Sequence, residues 1–253
     1  MITVGLLGCG NIAGLIAAHR PGNIRIAAVY DRHVERADDL AGRLGALACH
    51  DFNEFMAADY RVAVEAASIG AVVDHGEALL DSGRDLVCLS VGALADTAPR
   101  ERLVAAARRA GRVLRVPSGA LFGLDNAKVG RISRLTRVLL RTTKPPRALG
   151  LEAGARQLLF RGAAGECIRR YPKNVNVAVA LSLATGREAE VELWVDPAVE
   201  RNTHEVVLEG EFGAVVITVH NLPSPDNPAT SRLAALSVLA LLSDLDNPLV
   251  VGT

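Results

Sequence analysis

The fold is decided by residues 2–14, which read ITVGLLGCGNIAG. The first part, Ile2–Leu7, is a short apolar run of the kind that forms a buried strand. A glycine-rich turn, Gly8-Cys9-Gly10, follows this run, and a helical pattern then continues to about His19. The stretch therefore predicts a strand, a tight turn and a helix in immediate succession.

Apolar strands and helices alternate from this stretch to Pro117. We expect further strands at Ile24–Tyr30, Arg61–Ala67, Asp85–Ser90 and Val113–Val116, and helices at Val34–Leu44, Asp74–Ser82 and Pro99–Ala110. This order is typical of a parallel sheet covered by helices on both faces. Residues 1–117 are thus predicted to form a doubly wound α/β domain of the Rossmann type.

The pattern changes after Pro117. Helices are expected at 124–133, 167–171 and 175–184, and alternating strands at 134–142, 188–195, 204–208 and 214–219. Residues 118–228 are therefore predicted to form a smaller α+β domain with a mixed or antiparallel sheet. Asn221–Ala229 contains three prolines and is expected to be a loop. In the last segment, residues 229–253, an apolar helix at Ser231–Leu242 is expected to pack on the first domain.

The composition excludes several classes of protein. Half of the 253 residues are hydrophobic, which excludes disorder, and 28 basic residues balance 28 acidic ones. A net charge of zero argues against binding to nucleic acid or to an anionic membrane surface. The cysteines stand far apart, so no zinc or redox pair is predicted. The longest apolar stretch, at 233–242, is too short to span a bilayer. We expect a soluble cytoplasmic protein without a metal.

The glycine turn fits the pattern G-x-G-x-x-G/A that binds a dinucleotide. Gly8 permits the tight turn, Gly10 lets the backbone approach a pyrophosphate, and Ala13 allows the helix to pack closely on the strand. Asn11 and Ile12 open the helix, whose N-terminus attracts the negative charge. An ordinary tight turn between strand and helix is the alternative interpretation.

Asp31 stands 21 residues after Gly10, at the end of the second expected strand. A carboxylate there accepts hydrogen bonds from an adenosine ribose and repels a 2′-phosphate, so NAD is favoured. Arg32 leaves NADP open, because a guanidinium pairs well with phosphate. The corners Ala66-Ala67-Ser68 and Val91-Gly92-Ala93 are expected either to line the nicotinamide side or to serve packing.

Beyond the glycine turn, four segments resemble the L-aspartate dehydrogenase family. They are Val116–Ala120 (VPSGA), Tyr171–Ala184 (YPKNxNVAxxLSLA), Asp196–Glu205 (DPxxxxNxHE) and Pro225–Ser231 (PxxNPxTS). The resemblance implies an NAD(P)-dependent homodimer that oxidises L-aspartate through iminoaspartate to oxaloacetate and ammonia, a reaction that feeds NAD biosynthesis. It also implies that His204 is catalytic and that Ala120 and Asn176 contact the cofactor.

The residues themselves fit this chemistry. Oxidation of an amine needs a group that moves protons near neutral pH, and histidine is the usual choice. Lys173 or Asn174, at a predicted helix start, is expected to bind a substrate carboxylate, and Arg232 is a weaker candidate. A solvent-exposed lysine is the alternative for Lys173. The family often has a basic residue where this chain has Gly165 or Ala229.

Two other functions stay open on the sequence. One is a related oxidoreductase that acts on homoserine, dihydrodipicolinate or a sugar. The other is a non-catalytic protein that binds NAD(H) and senses it.

Overall fold

The structure is a computed structural model that describes residues 1–171, 176–224 and 227–252. Its contacts divide the chain into two compact units. The first unit contains Met1–Pro117 and Ala234–Val250, and the second contains Ser118–Leu233 and the last residues from Val251. The sequence predicted the same first boundary, at 117, but placed the second one at 228.

A parallel sheet forms the centre of the first unit. Its described strands are β1 (Ile2–Leu7), β2 (Ile24–Tyr30), β3 (Leu47–Cys49), β4 (Val62–Glu65), β5 (Asp85–Cys88) and β6 (Leu114–Arg115). They lie in the order β3-β2-β1-β4-β5-β6, and each pair is parallel. The predicted Rossmann domain is confirmed, and β3 is a strand that the sequence did not predict.

Helices connect these strands. They are α1 (Asn11–His19), α2 (Val34–Leu44), α3 (Phe52–Ala57), α4 (Ile69–Asp81) and α5 (Thr97–Ala110). The sequence did not predict α3, and α4 begins at Ile69 rather than at Asp74. The earlier start has a clear cause, because the Ser68 side chain caps the helix by accepting a hydrogen bond from the Ala71 N–H. Val91–Leu94 forms a short 3₁₀ helix after β5.

The second unit contains a mixed sheet. Its strands are β7 (Leu135–Lys144), β8 (Gln157–Ala163), β9 (Glu190–Val195), β10 (Thr203–Gly210) and β11 (Gly213–His220), in the order β11-β10-β7-β9-β8. β7 and β9 are parallel, and the other neighbouring pairs are antiparallel. The predicted mixed sheet is confirmed, although the sequence did not predict β8.

Short helices accompany this sheet. They are α6 (Leu124–Ala127), α7 (Pro146–Leu149), α8 (Ala164–Arg170) and α9 (Asn176–Thr185). The helix predicted at 124–133 is wrong in its second half, where Lys128–Arg131 forms a 3₁₀ turn. Gly130 lies there so close to Thr185 that an added Cβ would stand 3.1 Å from its carbonyl oxygen. The tighter turn is thus packed directly on the end of α9.

The loop predicted at Asn221–Ala229 is only partly correct. β12 (Pro223–Ser224) pairs antiparallel with β13 (Asn227–Ser231), which forms a small separate ribbon. Proline is tolerated in such a short edge ribbon, because the N–H that it lacks is not needed in a wider sheet.

The last helix, α10 (Arg232–Asp244), completes the first unit's core from Ala234 onward. Four of its residues are buried in the same apolar cluster as β1, β2 and β4: Ala235, Val238, Leu239 and Leu242. Among the described residues, no helix combines the length and apolarity needed to cross a membrane.

Candidate functional site

A cavity of about 360 Å³ opens at the carboxyl ends of β1, β2 and β4 in the first unit. We call it the glycine-turn pocket. Its lining includes Leu7, Gly8, Gly10, Tyr30, Asp31, Arg32, His33, Arg36, Ala66, Ala67, Ser68, Gly70, Ala71, Asp74 and His75. The carboxyl ends of parallel strands are where ligands bind in doubly wound folds. Gly8, Gly10 and Asp31, all predicted from the sequence, line this one pocket.

Gly8 is required by the local backbone. Its φ of +99° lies in the region that disfavours side chains, and an added Cβ would stand 2.8 Å from the Ala66 carbonyl oxygen. The turn can therefore pass this close to the end of β4 only as glycine.

Gly10 has a different role. An added Cβ at this position would meet no atom within 4 Å, so packing does not explain the glycine. Gly10 is the N-cap of α1 and offers no side-chain cap, and the first turn of α1 has no acidic residue. The positive end of the helix dipole is thus left to an anionic ligand, which fits a pyrophosphate.

Asp31 is fixed by two backbone groups. Its Oδ2 accepts a hydrogen bond from the Cys9 N–H at 2.8 Å, and its Oδ1 accepts one from the His33 N–H at 2.9 Å. A carboxylate has about four acceptor positions, so each oxygen can still accept a further hydrogen bond. This arrangement fits a ribose hydroxyl pair. The Cys9 thiol is not reactive here, because burial and the Asp31 charge raise its pKa to about 12.

The pocket also contains residues that the sequence analysis missed. His33 and His75 both line the pocket, and the sequence analysis assigned neither of them a role. The His75 ring stacks on Phe52 with ring centroids 4.0 Å apart, and burial lowers the pKa of His75. Arg36, in the first turn of α2, adds a second guanidinium to the pocket lining beside that of Arg32. This basic edge keeps NADP open as a cofactor.

Glu65 is a further residue that the sequence analysis missed, and it holds two predicted corners together. It is fully buried at the end of β4, where it accepts hydrogen bonds from the Ala67 N–H at 2.8 Å and the Ser90 N–H at 2.9 Å. The Ser90 hydroxyl donates a third, at 2.7 Å. Burial raises the pKa of Glu65, and these hydrogen bonds oppose the rise. Ala66, Ala67 and Ser68 line the pocket, whereas Val91, Gly92 and Ala93 are buried.

In the second unit, the predicted catalytic residue His204 lies on β10 and is only 5% exposed. Its Nδ1 lies 3.0 Å from the Oγ1 of Thr142, the residue directly opposite on β7. Burial, and then the charge of Lys144, lowers the pKa of His204 to about 3. The ring is therefore neutral at physiological pH, whereas the sequence argument expected a pKa near neutrality. We call His204, Thr142 and Lys144 the His204 cluster.

Ala120 belongs to a hydrogen-bonded network in the same unit. The Asn221 side chain donates to the Ala120 carbonyl at 3.1 Å and accepts from the Ser231 hydroxyl at 2.5 Å. The Asn221 backbone N–H donates to the Asn202 carbonyl at 2.8 Å. Three of the segments that resemble the family thus meet at Asn221, whose own role the sequence analysis missed.

The other predicted residues are placed as follows. Asn11 and Ile12 begin α1, and Asn176 begins α9, which packs against β7. Lys173 and Asn174 lie outside the described residues. Arg232 begins α10, and the Gly165 N–H donates to Glu188. In the described parts of the chain, no group of His, Cys, Asp and Glu residues has the arrangement of a metal site.

The fold and the glycine-turn pocket define an NAD(P)-dependent dehydrogenase with a Rossmann domain and a second α+β unit. Comparison with known proteins narrows this class. Residues 5–117 match the family profile described as the homoserine dehydrogenase NAD-binding domain. Residues 125–245 match the profile described as the C-terminal part of aspartate dehydrogenase.

Curated relatives match over the full length. The L-aspartate dehydrogenase of Methanospirillum hungatei is 52% identical over 253 residues, and the match covers 100% of both chains. That of Methanothermobacter thermautotrophicus is 41% identical, covering 100% of this chain and 99% of the relative. The crystal structure of Thermotoga maritima aspartate dehydrogenase superposes with a TM-score of 0.85 at 27% identity, covering 100% of both chains. The chain belongs to the L-aspartate dehydrogenase family.

Proposed function

We propose that this chain oxidises L-aspartate with NAD⁺, with NADP⁺ as an alternative acceptor. L-Aspartate loses a hydride from Cα and a proton from its amine to give iminoaspartate. Water then adds to the imine and ammonia leaves, which yields oxaloacetate. When bound, the nicotinamide ring of the cofactor supplies the hydride acceptor. We further propose that the iminoaspartate feeds NAD biosynthesis and that the protein acts as a cytoplasmic homodimer.

The observation that carries this proposal is the buried His204 ring, whose Nδ1 lies 3.0 Å from the Thr142 hydroxyl. A neutral imidazole can accept a proton from the substrate amine, and it can take one from the water that attacks the imine. The Thr142 hydroxyl orients the ring through Nδ1, which leaves Nε2 as the nitrogen for proton transfer.

The remaining residues are proposed to bind. Gly8, Gly10, Asn11, Ile12 and Asp31 would hold the pyrophosphate and the adenosine ribose in the glycine-turn pocket. Ala120 and Asn176 are proposed as further cofactor contacts, and Lys173 and Asn174 as contacts to a substrate carboxylate. The full-length identity to L-aspartate dehydrogenases supports these assignments.

The first test measures absorbance at 340 nm with purified protein, L-aspartate and either NAD⁺ or NADP⁺. D-Aspartate, L-glutamate and L-homoserine serve as controls. We expect NADH to form with L-aspartate only. Formation with L-homoserine instead would favour the related oxidoreductase, and NADH binding without any turnover would favour a sensor.

The second test assigns the catalytic group. His204→Ala should lower kcat by about 10²–10⁴-fold, the usual contribution of a general base, and should leave the Kd for NADH unchanged. His50→Ala is the matched control, because His50 is exposed and pairs with Asp38 on the surface. An unchanged kcat in His204→Ala would contradict the assignment.

A further inference from the structure

The glycine-turn pocket has more lining than the pyrophosphate and the ribose require. The glycine turn and Asp31 account for those two groups in the proposed function. The rest of the lining comes from two segments of the first unit, which are the corner with Arg32 and Arg36 and the stretch between Ser68 and His75. The part of a dinucleotide that continues beyond this ribose is the adenine base. These two segments are therefore the surfaces that remain for the base.

One face of α4 is turned toward this pocket. Gly70, Ala71, Asp74 and His75 all line it, and they fall in two rows of positions four residues apart on the helix. Gly70 and Ala71 are small, so the first turn of α4 leaves room for a flat ring. The next turn presents a carboxylate and an imidazole, which are groups that can hydrogen-bond the edge of such a ring.

Two aromatic rings hold His75 in place. The His75 ring stacks on Phe52 with centroids 4.0 Å apart, and it meets the edge of Tyr30 at 6.4 Å. Burial lowers the pKa of His75, so the ring is mostly neutral above about pH 7. A neutral imidazole offers one donor and one acceptor, and its two tautomers exchange these positions. His75 is thus a fixed ring that can hydrogen-bond any purine.

Asp74 supplies a negative charge beside this ring. Its charge opposes the lowering of the His75 pKa, which agrees with the two groups being close together. An ionised carboxylate only accepts hydrogen bonds, so it favours a ligand edge that presents N–H donors. It disfavours an edge that presents a carbonyl oxygen. Asp74 can therefore select among purines, whereas His75 cannot.

The corner after β2 adds flat cations to the same lining. The Arg32 Nε donates to the His33 ring at 3.3 Å, and Arg36 lies in the first turn of α2. Guanidinium planes stack on aromatic rings and on nucleic-acid bases. The pocket therefore combines groups that suit the face of a purine with groups that suit its edge.

We propose that Asp74 and His75 recognise the adenine base of the cofactor and make this pocket selective for adenine among the purines. Asp74 accepts a hydrogen bond from the exocyclic amine, and His75 forms one with a ring nitrogen. The inference rests on the proposed dinucleotide site and goes beyond it. The glycine turn and Asp31 bind groups that every purine dinucleotide shares, so they cannot select the base.

The first experiment compares two reduced dinucleotides that differ at one position of the base. NADH carries the exocyclic amine, and its hypoxanthine analogue carries a carbonyl oxygen in the same place. Their Kd values for the wild-type protein are measured by calorimetry at about pH 7.5. We expect the analogue to bind about tenfold more weakly, because a hydrogen bond to a charged group is lost and the carbonyl faces the carboxylate. Equal Kd values would overturn the proposal.

Asp74→Asn then assigns the selectivity. The asparagine amide presents a donor and an acceptor, so it accommodates either base. We expect the ratio of the two Kd values to fall from about ten to about one. Asp59→Asn is the matched control and should keep the ratio, because Asp59 is an exposed aspartate of the same unit that does not line the pocket. A ratio that stays near ten in Asp74→Asn would overturn the proposal.

His75→Phe tests the second residue. The change keeps an aromatic ring for stacking on Phe52 and removes both nitrogens. We expect the Kd values of both dinucleotides to rise about three- to tenfold, with their ratio unchanged. Reduced nicotinamide mononucleotide, which has no adenosine, should keep its Kd. His50→Phe, on the exposed surface, is the control. Unchanged dinucleotide affinity in His75→Phe would remove His75 from the proposal.

The wild-type comparison needs no variant, so a variant that failed to fold would still leave the proposal testable. Failure of the proposed function is also separable. Protein that prefers NADH to its hypoxanthine analogue but does not oxidise L-aspartate would retain base recognition and reject the reaction. Protein that oxidises L-aspartate but binds both dinucleotides equally would retain the reaction and reject base recognition.

Discussion

The glycine-turn pocket and the His204 cluster achieve specificity by opposite means. The pocket is lined by the glycine turn, by the corner around Asp31 and by the segment that joins β4 to α4, and it is open to solvent. The His204 cluster is built from side chains on two strands, 62 residues apart in sequence, and is buried. The pocket suits a large ligand with a fixed shape. The cluster suits chemistry, because burial changes the protonation of the groups that it contains.

The largest expected effect concerns the glycines of the pocket. Gly8→Ala should destabilise the first unit by several kcal/mol, because its Cβ meets the Ala66 carbonyl at 2.8 Å in a backbone with positive φ. Gly10→Ala should keep the thermal stability and weaken NADH binding by more than tenfold, since its Cβ enters the pocket. Thermal unfolding and NADH titration check the pair. Equal Tm losses in both variants would contradict the distinct roles assigned to the two glycines.

The next effect concerns acid stability. The pKa of His204 is about 3 in the folded protein, against about 6.5 when unfolded. As the pH falls, the unfolded state therefore takes up the proton at a higher pH than the folded state does. The free energy of unfolding is highest above pH 6.5 and decreases as the pH falls toward 3. His204→Asn should reduce this loss by several kcal/mol in urea titrations at pH 7 and pH 4.

The exposed residue His50 gives a control of opposite sign. Its hydrogen bond to Asp38 raises the pKa of His50, so its contribution is present at low pH and is lost as the pH rises through the folded pKa. His50→Asn should therefore not reduce the loss of stability at acidic pH. An unchanged loss of stability at acidic pH in His204→Asn would mean that folding does not lower the pKa of the ring.

A third effect concerns Glu65. Its buried carboxylate supports the glycine-turn pocket through hydrogen bonds, as buried side chains do in the His204 cluster. Glu65→Gln replaces one acceptor oxygen with an NH₂ group that faces N–H donors. We expect a loss of about 1–3 kcal/mol, the cost of an unsatisfied buried group. Urea unfolding measures it, with Glu77→Gln as the control, because the Glu77 side chain is 46% exposed. A loss below 0.5 kcal/mol would show that Glu65 does not hold the corners together.

The smallest effect lies on the other face of the second sheet. Arg137 pairs with Glu209 at 3.2 Å, and both side chains are more than 40% exposed. Exposed pairs of this kind contribute little, so Arg137→Ala should change stability by less than about 0.5 kcal/mol. A larger loss that depended on protein concentration would indicate that this face is covered by a second copy, as the proposed homodimer allows.

The sequence alone predicted the Rossmann domain, its first boundary and the residues of the pocket that lie in one continuous stretch. Gly8, Gly10 and Asp31 could be found because their spacing follows directly from the geometry of a strand, a glycine turn, a helix and a second strand. The short elements β3, α3 and β8 were missed, because they have no clear periodicity. His75 and Glu65 were missed because their relevance depends on which neighbouring strands they meet.

His204 was predicted from the family segments, but its environment was not. The assumption of a pKa near neutrality was wrong, because the sequence does not show that the ring is buried beside a lysine. Thr142 and Lys144 stand in a strand that looks half-exposed in sequence. Nothing in the local pattern indicates that their side chains face His204.

The sequence by itself determined the class of fold, the dinucleotide turn and the family, because these depend on local periodicity and on motifs of fixed spacing. The tertiary structure decided which side chains surround His204. Strand register between β7 and β10 sets that neighbourhood, and a shift of one residue would turn Thr142 and Lys144 to the opposite face. Register is set by packing across the whole sheet, so the chemistry of the His204 cluster could be inferred only from the folded chain.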